Sequence, residues 1–249
     1  MADWVLMLIP RPVRGRIDRF IREHGLVLQF ADYPLIPSLE RVPPVRSHLE
    51  IGAAGNYYLP AAYTPRGEES YFNATSDTGE FQNEVYQLAR LFADREGLRS
   101  VCDVGCGGAY KLARDFGGYA ITGVDVPDTV AWLKRKYPRG TWLTEDFEQP
   151  SSVRADVVIA ADIIEHLADP DLLLAYIESM QPRLIVLSTP DRNLLLDGRH
   201  LGPPLNAAHI REWGYAEFQC YISDRFEVLE HFYANPFQAT QMIVARLRV

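Results

Sequence analysis

The sequence lacks an apolar run of the roughly 18 residues that a membrane-spanning helix requires. The most apolar stretch near its start, residues 4–9, ends at Pro10. No basic segment precedes this stretch, and no small-residue cleavage site follows it. We therefore expect neither a membrane span nor a targeting peptide, and we interpret residues 4–9 as a strand or a packed arm.

Cysteine and positive charge are also scarce. The three cysteines suit a reducing compartment better than a disulfide framework, which favours a cytoplasmic location. Cys102 and Cys106 do not have the Cys-x-x-Cys spacing of metal and redox sites. The 25 Lys and Arg residues are outnumbered by 33 Asp and Glu residues, giving a formal net charge of −8. This balance disfavours nucleic acid as a partner, because broad binding to phosphates needs a positive surface.

The composition is that of a globular chain, with 47% hydrophobic residues among 249. This length can bury one sizeable core with a small appended region. Residues 1–75 are irregular and rich in proline and aromatic residues, so we predict an N-terminal arm that caps the acceptor site. Residues 76–249 are predicted to form the domain that carries the chemistry.

From residue 77 onward, strand patterns alternate with helix patterns. Short apolar runs predict strands, and apolar residues at three- and four-residue steps predict helices. The predicted strands are residues 99–104, 119–125, 141–143, 156–161 and 183–188, and a helix is also predicted at residues 206–213. This alternation indicates an α/β fold with a doubly wound parallel sheet. Two β-rich runs, residues 226–233 and 241–248, should add an antiparallel pair at its end.

A glycine turn follows the first predicted strand, at Gly105 and Gly107. Glycine lets the backbone approach a ligand closely, and the helix that follows presents unpaired N–H groups. The pattern departs from the dinucleotide fingerprint Gly-x-Gly-x-x-Gly because Tyr110 occupies the third glycine position. Asp103, just before the turn, is placed to receive a cationic or hydroxyl-bearing ligand.

Acidic residues also follow the second and third strands. Asp125 can accept both hydroxyls of a ribose, while Asp146 and Phe147 suit the amino group and the face of an adenine. The carboxyl ends of parallel strands meet at one edge of the sheet, where open α/β sheets bind ligands. Together with Asp103, these acids predict an adenosine-containing ligand at that edge.

These motifs resemble those of the class I S-adenosylmethionine-dependent methyltransferases, especially the ubiquinone-biosynthesis and sugar O-methyltransferase group. The resemblance spans residues 80–249 and includes the Ala-Asp-Ile-Ile-Glu-His-Leu-Ala-Asp-Pro segment at residues 161–170. It implies a Rossmann-like, seven-stranded sheet that is mostly parallel with an antiparallel C-terminal strand. Ala109 departs from the family, which has a further glycine there. The implied S-adenosylmethionine-binding residues are Asp103, Gly105, Cys106, Gly107, Asp125, Val126, Asp146, Phe147 and Asp162.

Asp162, Glu165 and His166 form a second group. If the chain turns helically after the fourth strand, their spacing places all three on one face, where they suit a divalent ion such as Mg²⁺ or Mn²⁺. In related small-RNA 2′-O-methyltransferases a later histidine completes such a set, and the resemblance makes His209 the candidate for that ligand here. The alternative is that the Glu-His pair borders the acceptor pocket without a metal.

The implied activity is methyl transfer to a hydroxyl group, which needs a base or a metal. His166 is the first candidate base, with His209 and the loop residue His200 as further candidates. A sugar is the favoured acceptor because aromatic residues at 57–72 can stack on sugar faces and residues 206–213 look similar to those of carbohydrate-acting methyltransferases. A phenolic or other small-molecule hydroxyl is the alternative, with RNA ribose third.

Two function classes compete with this prediction. A nicotinamide-dependent oxidoreductase would use the same sheet, but Tyr110 disrupts its glycine fingerprint. A non-catalytic cofactor-binding protein would keep the fold and lose the acidic residues, all of which are present. The oligomeric state is left open.

Overall fold

The structure is a computed structural model that describes residues 51–67, 81–196 and 200–248. Its centre is a seven-stranded sheet in the order β3-β2-β1-β4-β5-β7-β6. The strands are β1 Ser100–Val104, β2 Ala120–Val124, β3 Thr141–Leu143, β4 Val157–Ala161, β5 Leu184–Pro190, β6 Phe226–Asn235 and β7 Thr240–Leu247. The first five strands pair in parallel, and β7 runs antiparallel to both β5 and β6. The predicted fold class is thereby confirmed.

The strand order places a topological switch point at the middle of the sheet. From β1 the chain moves outward to β2 and β3, and it then crosses to β4 on the other side of β1. Asp103 on β1 lies between Gly123 on β2 and Ile159 on β4. Ligands of open α/β sheets bind beyond the carboxyl ends of the strands at such a point.

Helices cover both faces of the sheet. They are α1 Asn83–Arg95, α2 Tyr110–Asp115, α3 Pro127–Lys136, α4 Pro170–Ser179, α5 Arg192–Leu196 and α6 Tyr215–Arg225. Successive residues of β4 enter different apolar cores: Val158 joins one, and Val157 and Ile159 join the other. This alternation is expected of a strand whose faces are both covered.

The start of α4 agrees with the sequence. The Asp169 carboxylate accepts a hydrogen bond from the backbone N–H of Asp171, and Pro170 occupies the first turn. Leu173 and Ile177 on the inner face are fully buried. An acidic N-cap followed by proline thus begins the helix, as expected.

The helix predicted at residues 206–213 is wrong. This segment forms turns, and the backbone N–H of Ile210 donates to the carbonyl of Glu165 at 2.8 Å. The Asn206 side chain accepts from the N–H of Ala208 at 3.0 Å, which stabilises a turn in place of a helical start. The helix begins later, as α6, where Phe218 and Ile222 supply a helical apolar spacing that the sequence interpretation missed.

Part of the predicted N-terminal arm is described. Tyr57 and Tyr58 pack against the larger apolar core, and Tyr63 is buried in it. Residues 4–9, together with Tyr71 and Phe72, lie outside the described residues, so the division at residue 75 stays a prediction. None of the helices in the described ranges has the length and apolar character needed to cross a membrane.

Candidate active site

A cavity of about 970 Å³ lies at the carboxyl ends of the strands. We call the part lined by residues 105–109, Asp125 and Asp146, which follow β1, β2 and β3, the glycine end. The part lined by Glu165, His166, His209 and Glu212 is called the histidine end. The cavity therefore joins the two groups of residues that the sequence singled out.

The turn after β1 has left-handed backbone at Gly105 (φ 71°), Gly107 (φ 50°) and Ala109 (φ 51°). A Cβ atom on Gly105 would lie 2.3 Å from Cδ1 of Ile163, so the turn packs closely against the segment that follows β4. Ala109 adopts the conformation that glycine favours, at a modest backbone cost. The departure from the family pattern therefore leaves the turn in place.

Asp125 holds the glycine turn from the next strand. Its Oδ2 accepts from the backbone N–H of Gly107 at 2.7 Å, and its Oδ1 accepts from that of Val126 at 2.8 Å. A carboxylate has about four acceptor positions, so two bonds leave capacity for ligand hydroxyls. Val126 is 38% exposed and lines the cavity beside it, as do Cys106 and Gly107.

Asp146 and Phe147 line the far side of the glycine end. Asp146 Oδ1 accepts from the N–H of Glu148 at 2.9 Å. The Phe147 ring is tilted against that of Tyr176, with 4.9 Å between centroids. One polar group and one aromatic ring thus stand together after β3, where an adenine was expected.

Asp103 is not among the residues that line the cavity. It is fully buried, and its Oδ2 accepts from the hydroxyl of Tyr86 at 2.8 Å. Its Oδ1 has no hydrogen-bond partner among the described residues. Burial raises the pKa of Asp103 to about 7. Tyr86 and Lys111, which the sequence did not single out, line the cavity near it.

Asp162 does not share a helical face with Glu165 and His166, which corrects the expectation from spacing. Its φ of 52° is left-handed, and only a short 3₁₀ turn, Ile164–His166, follows. The hydroxyl of Ser188 donates to Asp162 Oδ1 at 2.6 Å, and burial raises the pKa of this carboxyl group. Asp162 lines the cavity but lies outside the group of residues described next.

Glu165, His166 and His209 each offer one atom to a cluster that spans no more than 4.8 Å. Glu165 Oε1 lies 4.0 Å from Nε2 of His166 and 3.9 Å from Nε2 of His209. This oxygen is buried and has no hydrogen-bond partner among the described residues, whereas Oε2 accepts from the hydroxyl of Thr189 at 3.0 Å. Burial, with a contribution from Asp162, raises the pKa of Glu165 to about 8.

The surrounding acceptors assign the ring protons of both histidines. Nδ1 of His166 lies 2.9 Å from the carbonyl oxygen of Ala208, so Nδ1 donates and Nε2 carries the lone pair. Nδ1 of His209 lies 2.6 Å from Glu212 Oε1, which gives the same tautomer. The Asn206 amide nitrogen then donates to His209 Nε2 at 2.9 Å. Three lone-pair-bearing atoms therefore converge, as a divalent ion of the Mg²⁺, Mn²⁺ or Zn²⁺ class requires.

Glu212 is the residue of this end that the sequence interpretation missed. It is 2% exposed, and its Oε2 is buried without a hydrogen-bond partner among the described residues. A carboxylate on the far nitrogen of a metal-binding histidine orients the ring and raises its basicity. The three-residue spacing from His209 is the signal in the sequence that could have identified it.

His200 and the three described tyrosines of the N-terminal region are not brought to the cavity. Nδ1 of His200 accepts from the N–H of Gly202 at 3.2 Å, and neither His200 nor Tyr57, Tyr58 or Tyr63 lines the cavity. Leu195 and Leu205, which are 47% and 73% exposed, line the cavity.

The chain matches the family model described as "Methyltransferase domain" over residues 84–242. No curated protein matches it in sequence. Among solved structures it is similar to the methyltransferase domain of bacterial CtHen1-C, with 21% identity, a TM-score of 0.52, and coverage of 68% of this chain and 99% of that one.

Two other similar structures contain bound S-adenosylhomocysteine. Magnesium protoporphyrin IX methyltransferase from Synechocystis PCC 6803 is 18% identical, with a TM-score of 0.52 and coverage of 74% of this chain and 90% of that one. The N-methyltransferase NodS from Bradyrhizobium japonicum WM9 is 13% identical, with a TM-score of 0.52 and coverage of 70% and 90%. At these identities, the similarity concerns the fold.

Proposed function

The chain belongs to the methyltransferase domain family and is an S-adenosylmethionine-dependent methyltransferase, and within this class we propose that it methylates a hydroxyl group with the help of a divalent ion, Mg²⁺ or Mn²⁺. The observation that carries the proposal is the convergence of Glu165 Oε1 with the Nε2 atoms of His166 and His209. An unpartnered carboxylate oxygen is costly to bury, and a bound cation removes that cost.

The glycine end fits the cofactor. Asp125 is positioned for the ribose hydroxyls, and Asp146 with Phe147 for the adenine. Eight acidic side chains line the cavity, which suits a ligand that carries a sulfonium cation. When bound, S-adenosylmethionine supplies an activated methyl group on that sulfonium. The chain's own contribution is then to hold the acceptor in line with it, which accounts for about 7–11 kcal/mol in favourable cases.

The histidine end fits the activation of a hydroxyl. A divalent ion held by Glu165, His166 and His209 would lower the pKa of a hydroxyl group beside it. Glu212 and the carbonyl of Ala208 keep the Nδ1 protons away from the cavity, so that both Nε2 atoms carry lone pairs, and a bound ion would replace the Asn206 amide as the partner of His209 Nε2. Without an ion, His166 is the direct base, because its Nε2 lone pair lies at the same place.

We propose a sugar as the acceptor. The amide of Asn206 and the carboxylate of Glu212 line the histidine end and can bind neighbouring hydroxyls. A phenolic hydroxyl is the second candidate, favoured by Leu195 and Leu205, because exposed leucines at a cavity rim suit an acceptor with an apolar ring.

We also propose that residues 1–75 cap the acceptor and that the enzyme is cytoplasmic. The described part of this region binds the loop beside the histidine end: the Arg66 guanidinium donates to the carbonyl of Pro204 at 2.7 Å, and the N–H of Thr64 donates to that of Leu201 at 2.7 Å. All three cysteines are free thiols, which suits a reducing compartment.

Chelation tests the metal. Exhaustive chelation should stop transfer of radiolabelled methyl groups to a panel of glycosides and phenols, while calorimetric binding of S-adenosylmethionine stays nearly unchanged. Added Mg²⁺ or Mn²⁺ should restore transfer. His209→Ala should raise the metal concentration required by about tenfold or more, corresponding to about 1.4 kcal/mol.

His200→Ala is the matched control, because His200 does not line the cavity, and its metal requirement should not change. Mn²⁺ binding followed by electron paramagnetic resonance gives a readout that needs no acceptor. Full transfer after chelation, with no divalent ion in elemental analysis, would overturn the metal proposal and leave His166 as the direct base.

A further inference from the structure

Lys111 is the only lysine or arginine among the described residues that line the cavity. Eight acidic side chains line the same cavity. A single cation among eight acidic side chains is a distinctive feature of this cavity. Lys111 lies in the first turn of α2, directly after the glycine turn.

The surroundings of Lys111 leave its ammonium group available to a ligand. Its Nζ lies 5.6 Å from the centre of the Tyr86 ring, and no carboxylate of the described residues approaches it within salt-bridge distance. The carboxylates of Asp103 and Asp162 attract the ammonium group from further away, which favours its charged form. Burial has the larger effect and lowers the pKa of Lys111. Of these two acids, Asp162 lines the cavity and Asp103 lies behind its wall.

The order of the strands places Lys111 between the proposed position of the ribose and the proposed position of the acceptor hydroxyl. Asp125 at the end of β2 marks the ribose, and Glu165 after β4 marks the acceptor hydroxyl. The methionyl portion of the cofactor must lie between them, at the ends of β1 and β4, because the sulfonium joins the ribose carbon to it. That portion carries one carboxylate and one ammonium group. The protein groups that line the cavity there are the ammonium group of Lys111 and the carboxylate of Asp162.

We propose that Lys111 binds the carboxylate of the cofactor's methionyl portion and that Asp162 receives its ammonium group. This inference rests on the proposed use of S-adenosylmethionine. The pairing is a charge-assisted hydrogen bond in a partly buried site, where such bonds are strongest. The competing role for Lys111 is to offset the buried charge of Asp103 without touching a ligand.

Calorimetry with two forms of the cofactor separates these roles. The wild-type protein should bind S-adenosylmethionine about tenfold or more tightly than the same molecule lacking its carboxyl group. Lys111→Met should lose this discrimination by weakening only the complete cofactor, and Lys111→Arg should retain most of it. Lys134→Met on the exposed surface of α3 is the matched control and should bind both forms as the wild type does.

The outcomes are distinguishable. Equal wild-type affinity for the two forms, or an equal loss of both in Lys111→Met, would overturn the role of Lys111 and favour the structural one. The wild-type comparison stands even if the variant fails to fold. Failure of the wild type to bind either form or S-adenosylhomocysteine would instead overturn the cofactor itself.

Discussion

The acidic side chains at the glycine end and at the histidine end of the cavity differ in their hydrogen bonding. At the glycine end, Asp125 and Asp146 accept backbone N–H groups at 2.7–2.9 Å, two of them from residues one or two positions along the chain. At the histidine end, Glu165 Oε1 and Glu212 Oε2 are buried without hydrogen-bond partners among the described residues. The neighbours of Glu165 include Thr189 and His209, which lie more than 20 residues away from it in sequence.

This difference indicates which end of the cavity has its polar groups oriented before a ligand binds. Backbone donors fix the acids of the glycine end, so a ligand meets groups that are already oriented. The unpartnered oxygens of the histidine end each represent a desolvation cost of about 1–3 kcal/mol, and a bound cation can offset the cost of Glu165 Oε1. We therefore expect substitutions at the glycine end to affect cofactor binding and those at the histidine end to affect metal binding.

The largest effect should come from Gly107→Val. The residue has a φ of 50°, and its N–H binds Asp125, so a branched side chain both strains the turn and enters the cavity. Affinity for S-adenosylmethionine should fall at least about 100-fold, or about 2.7 kcal/mol, by calorimetry. Gly97→Val is the control, because Gly97 also has positive φ but faces open space. The Gly97→Val variant should have a lower free energy of unfolding and should bind S-adenosylmethionine as the wild type does. Normal binding by Gly107→Val would show that the turn has only a structural role.

Asp125→Ala should have the next largest effect. Loss of a hydrogen-bonded carboxylate should weaken S-adenosylmethionine binding by about 1.5–3 kcal/mol, with Mn²⁺ affinity unchanged. Asp128→Ala, an exposed residue that does not itself line the cavity, should change neither quantity. Unaltered affinity in a folded Asp125→Ala protein would remove this residue from the ribose site.

Glu212→Gln tests the other end and should act through His209. The amide keeps the shape of the side chain but removes the charge that raises the basicity of the ring, so Mn²⁺ affinity should fall about tenfold. Binding of S-adenosylmethionine should not change. In a double-mutant cycle with His209→Ala, the two losses should not add, because residues that share one interaction are coupled. Additive losses would show that Glu212 does not act through His209. A loss of cofactor binding would contradict the assignment of the histidine end to metal binding.

The smallest effect concerns Asp103, which lies behind the glycine end with one oxygen unpartnered. Its pKa is raised to about 7 in the folded protein, against about 3.9 in an unfolded chain, so its contribution to stability falls as pH rises between these values. The Tyr86 hydroxyl opposes this by binding the ionised carboxylate. Tyr86→Phe should therefore lower the free energy of unfolding by about 1 kcal/mol more at pH 8 than at pH 5, measured in urea. An equal loss at both pH values would show that the hydroxyl does not favour the charged form.

Local sequence determined the sheet and the glycine end. Parallel strands follow from short apolar runs alternating with helical spacings, and the carboxyl ends of such strands meet at one edge. Asp125 and Asp146 therefore lie where their positions after β2 and β3 predicted, and their hydrogen-bond partners are near neighbours or the adjacent turn. These features need no knowledge of distant contacts.

Only the tertiary structure decided the histidine end and the place of Lys111. The turns at residues 206–213 form because the carbonyl of Glu165, more than 40 positions earlier, accepts their N–H groups in place of helical partners. That contact brings His209 and Glu212 to Glu165, and Asp162, whose backbone is left-handed, lies outside the group formed by Glu165, His166 and His209. Hydrogen bonds between distant segments outweigh local helical spacing here, because buried polar groups must find partners wherever the fold places them.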